Sequence, residues 1–517
     1  MKRWRQKLLL GLAALVMSTI IPWSAVHADT QIRVLIDNKK LATDVQPYLE
    51  NNITMLPFRA IGEALGANVE WKPENKQVEF SKETTHIQFT IGENKAIVNG
   101  EVVALDMGAK NKNGRAMVPL RFVGESLGVV VNWDNLTKTV KITTGEEQHV
   151  QEVRGAWIST VYNIDWPSDP KKGFDADKQK TEFITLLDKL KGMGLNTIYV
   201  QVRPTADSFY PSKLFPWSQW LTGTQGKDPG YDPLAFMIEE AHNRGMAFHA
   251  WFNPYRVSVQ NDITKLSADH PARKNPDWVV KNGNLLLFNP GVPAAREFIL
   301  KGIMEVVANY DIDGVHFDDY FYPYGTIPFE DEKTYEDYNK VFSNKADWRR
   351  NNVNLFVQQV KKSIDAVKPQ VEFGISPFGV WRNASVDPTG SNTKASITSY
   401  DSLYADVRKW IQNGWIDYVM PQVYWHIGHT AADYKTVVDW WLNETKGTGV
   451  DLYIGHAAYK LADAKEKDWA TADTLIKELD YISQYEQISG AVFFSAKDLV
   501  NNTKQVADRL KQYYEAP

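Results

Sequence analysis

The sequence reads as an α/β protein, a (β/α)8 TIM barrel preceded by a small α+β domain of two repeats. Three observations predict this. A motif near the front recurs about 62 residues later. From Arg154 onward, short apolar runs alternate with amphipathic helical stretches. The 517 residues exceed one ordinary domain, and a barrel alone takes roughly 250 residues or more.

The chain starts with Lys2, Arg3, Arg5 and Lys7, then runs apolar from Leu8 to Ile21, with Val26-His27-Ala28 after Pro22. A basic start, a short apolar core and small residues behind it predict a secretory signal peptide over residues 1–28. The apolar run is too short to span a bilayer comfortably, so no stable membrane insertion is expected after cleavage. The protein is expected to be secreted or associated with the cell wall. The formal charge of −5 becomes about −9 once those four basic residues leave. Such an acidic chain makes a poor nucleic-acid binder. There is no Cys, which excludes disulfides, a thiol nucleophile, Cys-ligated zinc and a lipid-modified Cys. Hydrophobic residues, 43% of the chain, suffice for a large core without disulfides.

The repeats occupy residues 29–145. Met55-Leu-Pro-Phe-Arg-Ala-Ile-Gly-Glu-Ala-Leu-Gly66, with Val69 and Trp71, is matched by Met117-Val-Pro-Leu-Arg-Phe-Val-Gly-Glu-Ser-Leu-Gly128, with Val131 and Trp133. Each copy predicts a strand, a short helix (Arg59–Leu65, Arg121–Leu127), a Gly stop and a hairpin. These repeats resemble the N-terminal module of copper amine oxidases. The resemblance implies a spacer or a wall-attachment role, with the cell wall as partner. It does not imply copper, since His86 is the sole His there. A polar linker follows at 146–153.

The barrel is placed at 154–517. Strands are expected at Arg154–Thr160, Thr197–Val202, Ala247–Phe252, Gly314–Asp318, Glu372–Phe378, Tyr418–Tyr424, Leu452–His456 and Ala491–Ser495. Helical patterns fall between them, and a last helix near Asn502–Tyr514 closes the ring. An open doubly wound sheet is the other architecture, but no Gly-rich phosphate loop follows any strand. Barrel chemistry sits at the C-terminal strand ends, and alternation says which side chains face inward. Gly314, His316 and Asp318 share one face of the fourth strand. Tyr199, Gln201 and Arg203 share one of the second. His249, Trp251 and Asn253 share one of the third, and Gln422 and Tyr424 one of the sixth. Ser376 and His456 end the fifth and seventh. Polar groups thus gather at one end, as in a site. A self-satisfied polar plug is the structural alternative.

The stretch Asp313-Gly-Val-His-Phe-Asp-Asp-Tyr-Phe-Tyr-Pro-Tyr324 ends a strand in two carboxylates followed by aromatics. Carboxylates at a strand tip can move protons, and aromatic faces pack on sugar rings. Two adjacent carboxyls cannot easily both ionise, so one should hold a proton. Asp318 and Asp319 are the expected catalytic pair, with Asp319 the acid and Asp318 the charged partner. Two arrangements stay open. In one, the substrate's own 2-acetamido oxygen attacks, steered by one carboxylate while the other protonates the leaving oxygen. In the other, one of the pair works with Asp165 or Asp207 on a facing loop. Gln201, Arg203, Asn253, Tyr255, Arg256, His316, Tyr320, Gln422, Tyr424, Trp425 and His456 are the expected groove residues. No cofactor and no metal are expected. A cation held by His316, Asp318 and His456 is the weaker alternative, and His426-Ile-Gly-His429 has the wrong spacing for a polysaccharide-deacetylase site.

Arg154-Gly-Ala-Trp-Ile-Ser, Tyr162-Asn-Ile-Asp-Trp-Pro167, Gln201-Val-Arg-Pro204, His249-Ala-Trp-Phe-Asn-Pro-Tyr-Arg256 and Gly314-Val-His-Phe-Asp-Asp-Tyr320 jointly resemble the family-ten-like glycosyl hydrolases. The resemblance implies a secreted or periplasmic barrel that hydrolyses peptide-stripped peptidoglycan glycan strands. It departs from the family-eighteen chitinases, because His316 and Tyr320 replace the first inner Asp and the acid Glu of their fourth-strand motif. The other functions in view are hydrolysis of an exopolysaccharide or glucan, and a non-catalytic glycan-binding scaffold.

Overall fold

The computed structural model describes residues 32–515, apart from 37–38, 51–52, 83, 106, 128, 135–137, 144–151 and 464. The expected signal peptide and nearly all of the expected linker lie outside the described residues. The chain divides into two compact units, up to Thr144 and from Gly145.

In the first unit the two repeats meet strand to strand. Ile53–Pro57 and Arg115–Pro119 pair antiparallel, Met117 opposite Pro57 and Pro119 opposite Met55. Each strand runs directly into a short helix, Phe58–Ala64 or Leu120–Ser126. Gly62 and Gly124 sit where each helix lies on its hairpin. A Cβ there would come within 2.4 Å of Val69 Cγ2 or 2.5 Å of Val131 Cγ2, so only Gly allows the approach. The hairpins then diverge. Asn68–Lys72 and Gln77–Lys82 start a five-stranded sheet, while Val130–Asp134 and Thr139–Thr143 join Arg33–Ile36 in a four-stranded one.

In the second unit eight parallel strands close into a barrel in sequence order. They are β1 (Val153–Ile158), β2 (Thr197–Arg203), β3 (Ala247–Phe252), β4 (Gly314–Phe317), β5 (Glu372–Ile375), β6 (Tyr418–Val419), β7 (Asp451–His456) and β8 (Ile488–Phe493). β5 and β6 stop earlier than the apolar pattern predicts. Pro377 and Pro421 follow them and have no N–H for the ladder. Gln422 instead makes isolated bridges to Phe378 and Gly455.

The main helices are α1 (Ala176–Gly192), α2 (Pro233–His242), α3 (Pro293–Asn309), α4 (Lys345–Val367), α5 (Val407–Gln412), α6 (Tyr434–Thr445), α7 (Asp473–Ile482) and α8 (Val506–Glu515). Asp175, Asp232, Asn344 and Asp433 cap four of them through their side chains. Ile198, Val200, Val202, Val315 and Phe317 face these helices. Trp157, Tyr199, Trp251, Tyr418, Met420 and Tyr453 fill the interior. So the barrel is a packed plug with its site above it.

Two glycines make that plug possible. A Cβ on Gly314 would lie 2.2 Å from His249 Nδ1, and one on Gly374 would lie 2.1 Å from the Tyr418 ring. Overpacking a rigid interior costs about 1–3 kcal/mol. Gly374→Ala should therefore lower barrel stability by about that amount in urea titrations followed by near-ultraviolet circular dichroism. An unchanged midpoint would mean that the Tyr418 layer is not closely packed.

Candidate active site

The chain leaves β4 at Phe317 and turns. Asp318 Oδ1 closes the turn by accepting from Tyr320 N at 3.0 Å. Its Oδ2 accepts from Trp251 Nε1 at 3.2 Å and from the Asn253 amide. Asn253 is itself held, because Gln201 Nε2 donates to Asn253 Oδ1 at 2.5 Å. Gln201 Oε1 accepts from Thr160 N at 3.0 Å, Val161 N at 2.9 Å and Ser159 Oγ at 3.2 Å. Gln201 must therefore point its NH2 at Asn253, and Asn253 must point its NH2 at Asp318.

Asp319 lives differently. It is 7% exposed, and its Oδ2 meets no hydrogen-bond donor. Burial first, then the Asp318 charge, pushes its carboxyl up to about 8, against the Gln422 amide and Arg256. Burial also raises Asp318, but Arg256, the Tyr320 N–H, Asn253 and Trp251 all pull it back. The two titrate as a pair, and the proton they share rests on Asp319.

Several expected groove residues do gather here. Arg256 is half-buried, donates from Nε to Pro204 O at 2.8 Å and lies 5.4 Å over the Tyr320 ring. Gln422 Nε2 donates to Ser376 O at 3.0 Å, beside Asp319. The Tyr424 hydroxyl lies close enough to Asp318 and Asp319 to interact with both electrostatically. Trp425 packs on Phe378 at 5.5 Å.

Gln201 and His316 are fully buried beneath the pair. Trp157 Nε1, which can only donate, gives its hydrogen to His316 Nε2 at 3.0 Å, so the ring proton lies on Nδ1, facing Tyr418 Oη at 3.1 Å. Neither side chain reaches solvent, so both position the site from below.

Three groove assignments are corrected. A bulge between Gln201 and Arg203 breaks the alternation of β2. Arg203 is buried over Phe215, 4.4 Å away, and donates to the carbonyls of Asn253 and Pro254. Tyr255 is buried against Phe356 of α4. On β7, Tyr453 fills the barrel interior, so His456, three residues on, faces the helices, where its Nδ1 lies 2.9 Å from Glu478 Oε2 of α7. His456 therefore cannot join His316 and Asp318 around a cation.

Asp165 and Asp207 are also committed elsewhere. Asp165 accepts from Ser159 N, Ser495 Oγ and Lys497 N, each at 2.7 Å, tying the loop after β1 to the end of β8. Asp207 is fully buried and accepts from Gln225 Nε2 at 3.2 Å. Neither serves as the second carboxylate of a facing loop.

Phe378, Tyr459, Tyr162 and Trp220 escaped sequence reasoning, and they join the expected Tyr320 and Trp425 and the Tyr324 of the acidic stretch. Tyr320, Tyr324, Phe378 and Trp425 form a chain of partly exposed rings 5.5–6.3 Å apart. Tyr459 packs on Tyr424 and Phe494. Tyr162 contacts Trp220 at 5.2 Å and is 59% exposed, close enough to Tyr320 for their hydroxyls to interact electrostatically. Tyr162 and Asn163 both have left-handed backbones, φ 58° and 53°. That conformation costs a bulky residue on the order of 1–3 kcal/mol, so the ring is held out against a local preference. The Tyr162-Asn-Ile-Asp-Trp-Pro167 motif was the available signal.

Residues 152–471 match the family described as Glycosyl hydrolase-like 10, and residues 35–142 match the Copper amine oxidase N-terminal domain. The chain is 56% identical over 367 residues to Glycosyl hydrolase YngK of Bacillus subtilis strain 168, across 70% of this chain and 72% of that one. It is 41% identical over 389 residues to Glycosyl hydrolase DigH of Escherichia coli K12, across 71% of this chain and 88% of that one.

Holding Asp319 protonated has a stability consequence. Its carboxyl rises from an ordinary 3.8 to about 8 on folding. The stability this group contributes is whole below 3.8 and is lost as pH rises toward 8. Asp319→Asn carries no such loss. The variant should melt above the native protein at pH 7, and the gap should close as pH falls toward about 4. Thermal melts across that range read it, and a gap independent of pH would show that Asp319 is not held protonated.

Proposed function

Because the chain belongs to the glycosyl hydrolase-like 10 family, and is a glycoside hydrolase by that membership, we propose that it cleaves N-acetylated cell-wall polysaccharide, foremost peptide-stripped peptidoglycan glycan strands. The observation that carries this reading is the division of labour in the pair. One carboxyl is ringed by donors that favour its charged form, and its neighbour is dry and holds the shared proton.

That division suits substrate-assisted hydrolysis. The acetamido oxygen of the substrate attacks its own anomeric carbon while Asp318 steers and stabilises the acetamido N–H. The glycosidic C–O bond breaks, and Asp319 gives its proton to the leaving oxygen. Water then opens the oxazolinium ring at the same carbon and returns a proton to Asp319. No distant second carboxylate is required, which fits the engagement of Asp165 and Asp207 elsewhere. Arg256 stands beside the pair as a half-exposed cation for the lactyl carboxylate of a muramic residue. The rings from Tyr320 to Trp425, with Tyr162 and Trp220, offer apolar faces to neighbouring sugars. The basic, apolar and small-residue segments of the N-terminus support action outside the cytoplasm.

The test sets native protein, Asp318→Asn and Asp319→Asn against peptide-stripped glycan strands, chitin oligomers and xylan, with products read by mass spectrometry. Each variant should lose about 10²–10⁴-fold in turnover of the glycan strands. Native turnover should fall as pH rises through about 8, where Asp319 loses its proton. Strands whose acetamido groups are converted to free amines should resist cleavage. Full activity in both variants would remove the site assignment, and cleavage of xylan alone would remove the substrate.

A further inference from the structure

We propose that the first unit carries a second polysaccharide site, a groove beside Trp71 that holds a strand of sugar rings apart from the barrel. The proposal takes its ligand class from the reading of the barrel as a polysaccharide hydrolase, and its location from the first unit alone.

The groove measures about 760 Å3, within the roughly 300–1,000 Å3 range of small-molecule sites. Pro57, Phe58, Ala60 and Ala116 give it an apolar floor, from the helix Phe58–Ala64 and the strand Arg115–Pro119. Trp71 stands on the strand Asn68–Lys72, at the edge of the five-stranded sheet, and is 39% exposed. An indole open beside a groove offers a large, rigid, amphipathic contact face to a ligand. The apolar C–H face of a pyranose ring is a fitting cover for the electron-rich indole face.

The rim supplies the polar half. Arg115 Nε bonds Asp44 Oδ2 at 2.5 Å, and Arg59 lies 3.9 Å from Glu63. Guanidinium and carboxylate groups are planar and two-pronged, matched to vicinal hydroxyls and amides. Two acids balance two bases, so the rim has no net charge. A polyanion such as nucleic acid finds no net attraction there, so binding would rest on stacking at Trp71 and on hydrogen bonds to hydroxyls and amides. The second repeat holds the same residue types at the same spacing, Arg121, Glu125 and Trp133, so the sequence writes this trio twice.

The experiment measures retention of the full chain on insoluble peptide-stripped glycan, chitin and cellulose. All proteins carry Asp319→Asn, so that the polymer is not consumed. Adding Trp71→Ala should weaken retention about tenfold or more. Trp71→Phe, which keeps a ring, should retain most of it, and Arg59→Ala with Glu63→Ala should lose part. In an otherwise native chain, Trp71→Ala should leave turnover of a short soluble oligosaccharide unchanged. Retention by Trp71→Ala equal to that of its parent would overturn the proposal, as would failure of the parent to bind any of the three polymers. So would an equal loss in Trp71→Phe accompanied by a lowered melting temperature, because the effect would then be structural. Retention that depends on Trp71 in a protein whose native form cleaves none of these sugars would leave the groove standing and remove the catalytic reading instead.

Discussion

The site depends on one oriented relay of amides. The N–H groups of Thr160 and Val161 saturate the carbonyl oxygen of Gln201, which leaves its NH2 free to face only Asn253. Asn253 then has its own NH2 left for Asp318. The loop after β1, β2, the end of β3 and the tip of β4 are thus joined in a single donor-to-acceptor direction. Reversing any amide would set oxygen against oxygen in a buried place, at a cost of the order of 1–3 kcal/mol. The relay therefore fixes where Asp318 sits and favours its charged form.

What the relay does for Asp318, the floor withholds from Asp319. In the barrel interior, His316 and His249 are both bridged by Tyr418 Oη at 3.1 Å. Burial holds His249 down to about 4 and His316 well below its ordinary range, so both rings are neutral. An imidazolium at either position would draw Asp319 toward ionisation. The interior instead stays neutral, and burial is the main reason the Asp319 carboxyl keeps a proton. The protonated state of Asp319 thus comes from its surroundings as much as from the carboxyl itself.

The eight-strand ring and its order were legible because apolar runs and helical periodicity recur regularly after Arg154. The acidic tip of β4 was legible because two carboxylates end an apolar run. Alternation located Asn253 and Asp318 correctly, since β3 and β4 pair there without a register shift. It failed at Arg203 because one extra residue in β2 is invisible to a period of two. On β7 the same alternation, run from the interior Tyr453, turns His456 outward to Glu478. Tyr162 was hidden for a different reason. Its role rests on a left-handed backbone, which no side-chain pattern announces. The strands Thr85–Thr90, Lys95–Val98 and Glu101–Ala104 lie between the repeats, so the repeat motif could not reveal them.

The aromatic rings also bear on how such a site would use a long substrate. Tyr320 through Trp425 line the β4 to β6 side, Tyr162 and Trp220 the β1 to β2 side, and Tyr459 with Phe494 the β7 to β8 side. On the proposed reading, a sugar bound at Asp318 and Asp319 would have stacking surfaces in three directions. Contacts to rings that do not react can hold the reacting ring against its preferred shape. On that reading they would also press water away from the buried Asp319 carboxyl. Rim and burial would then both serve the Asp319 carboxyl, whose Oδ2 has no hydrogen-bond partner among the described residues.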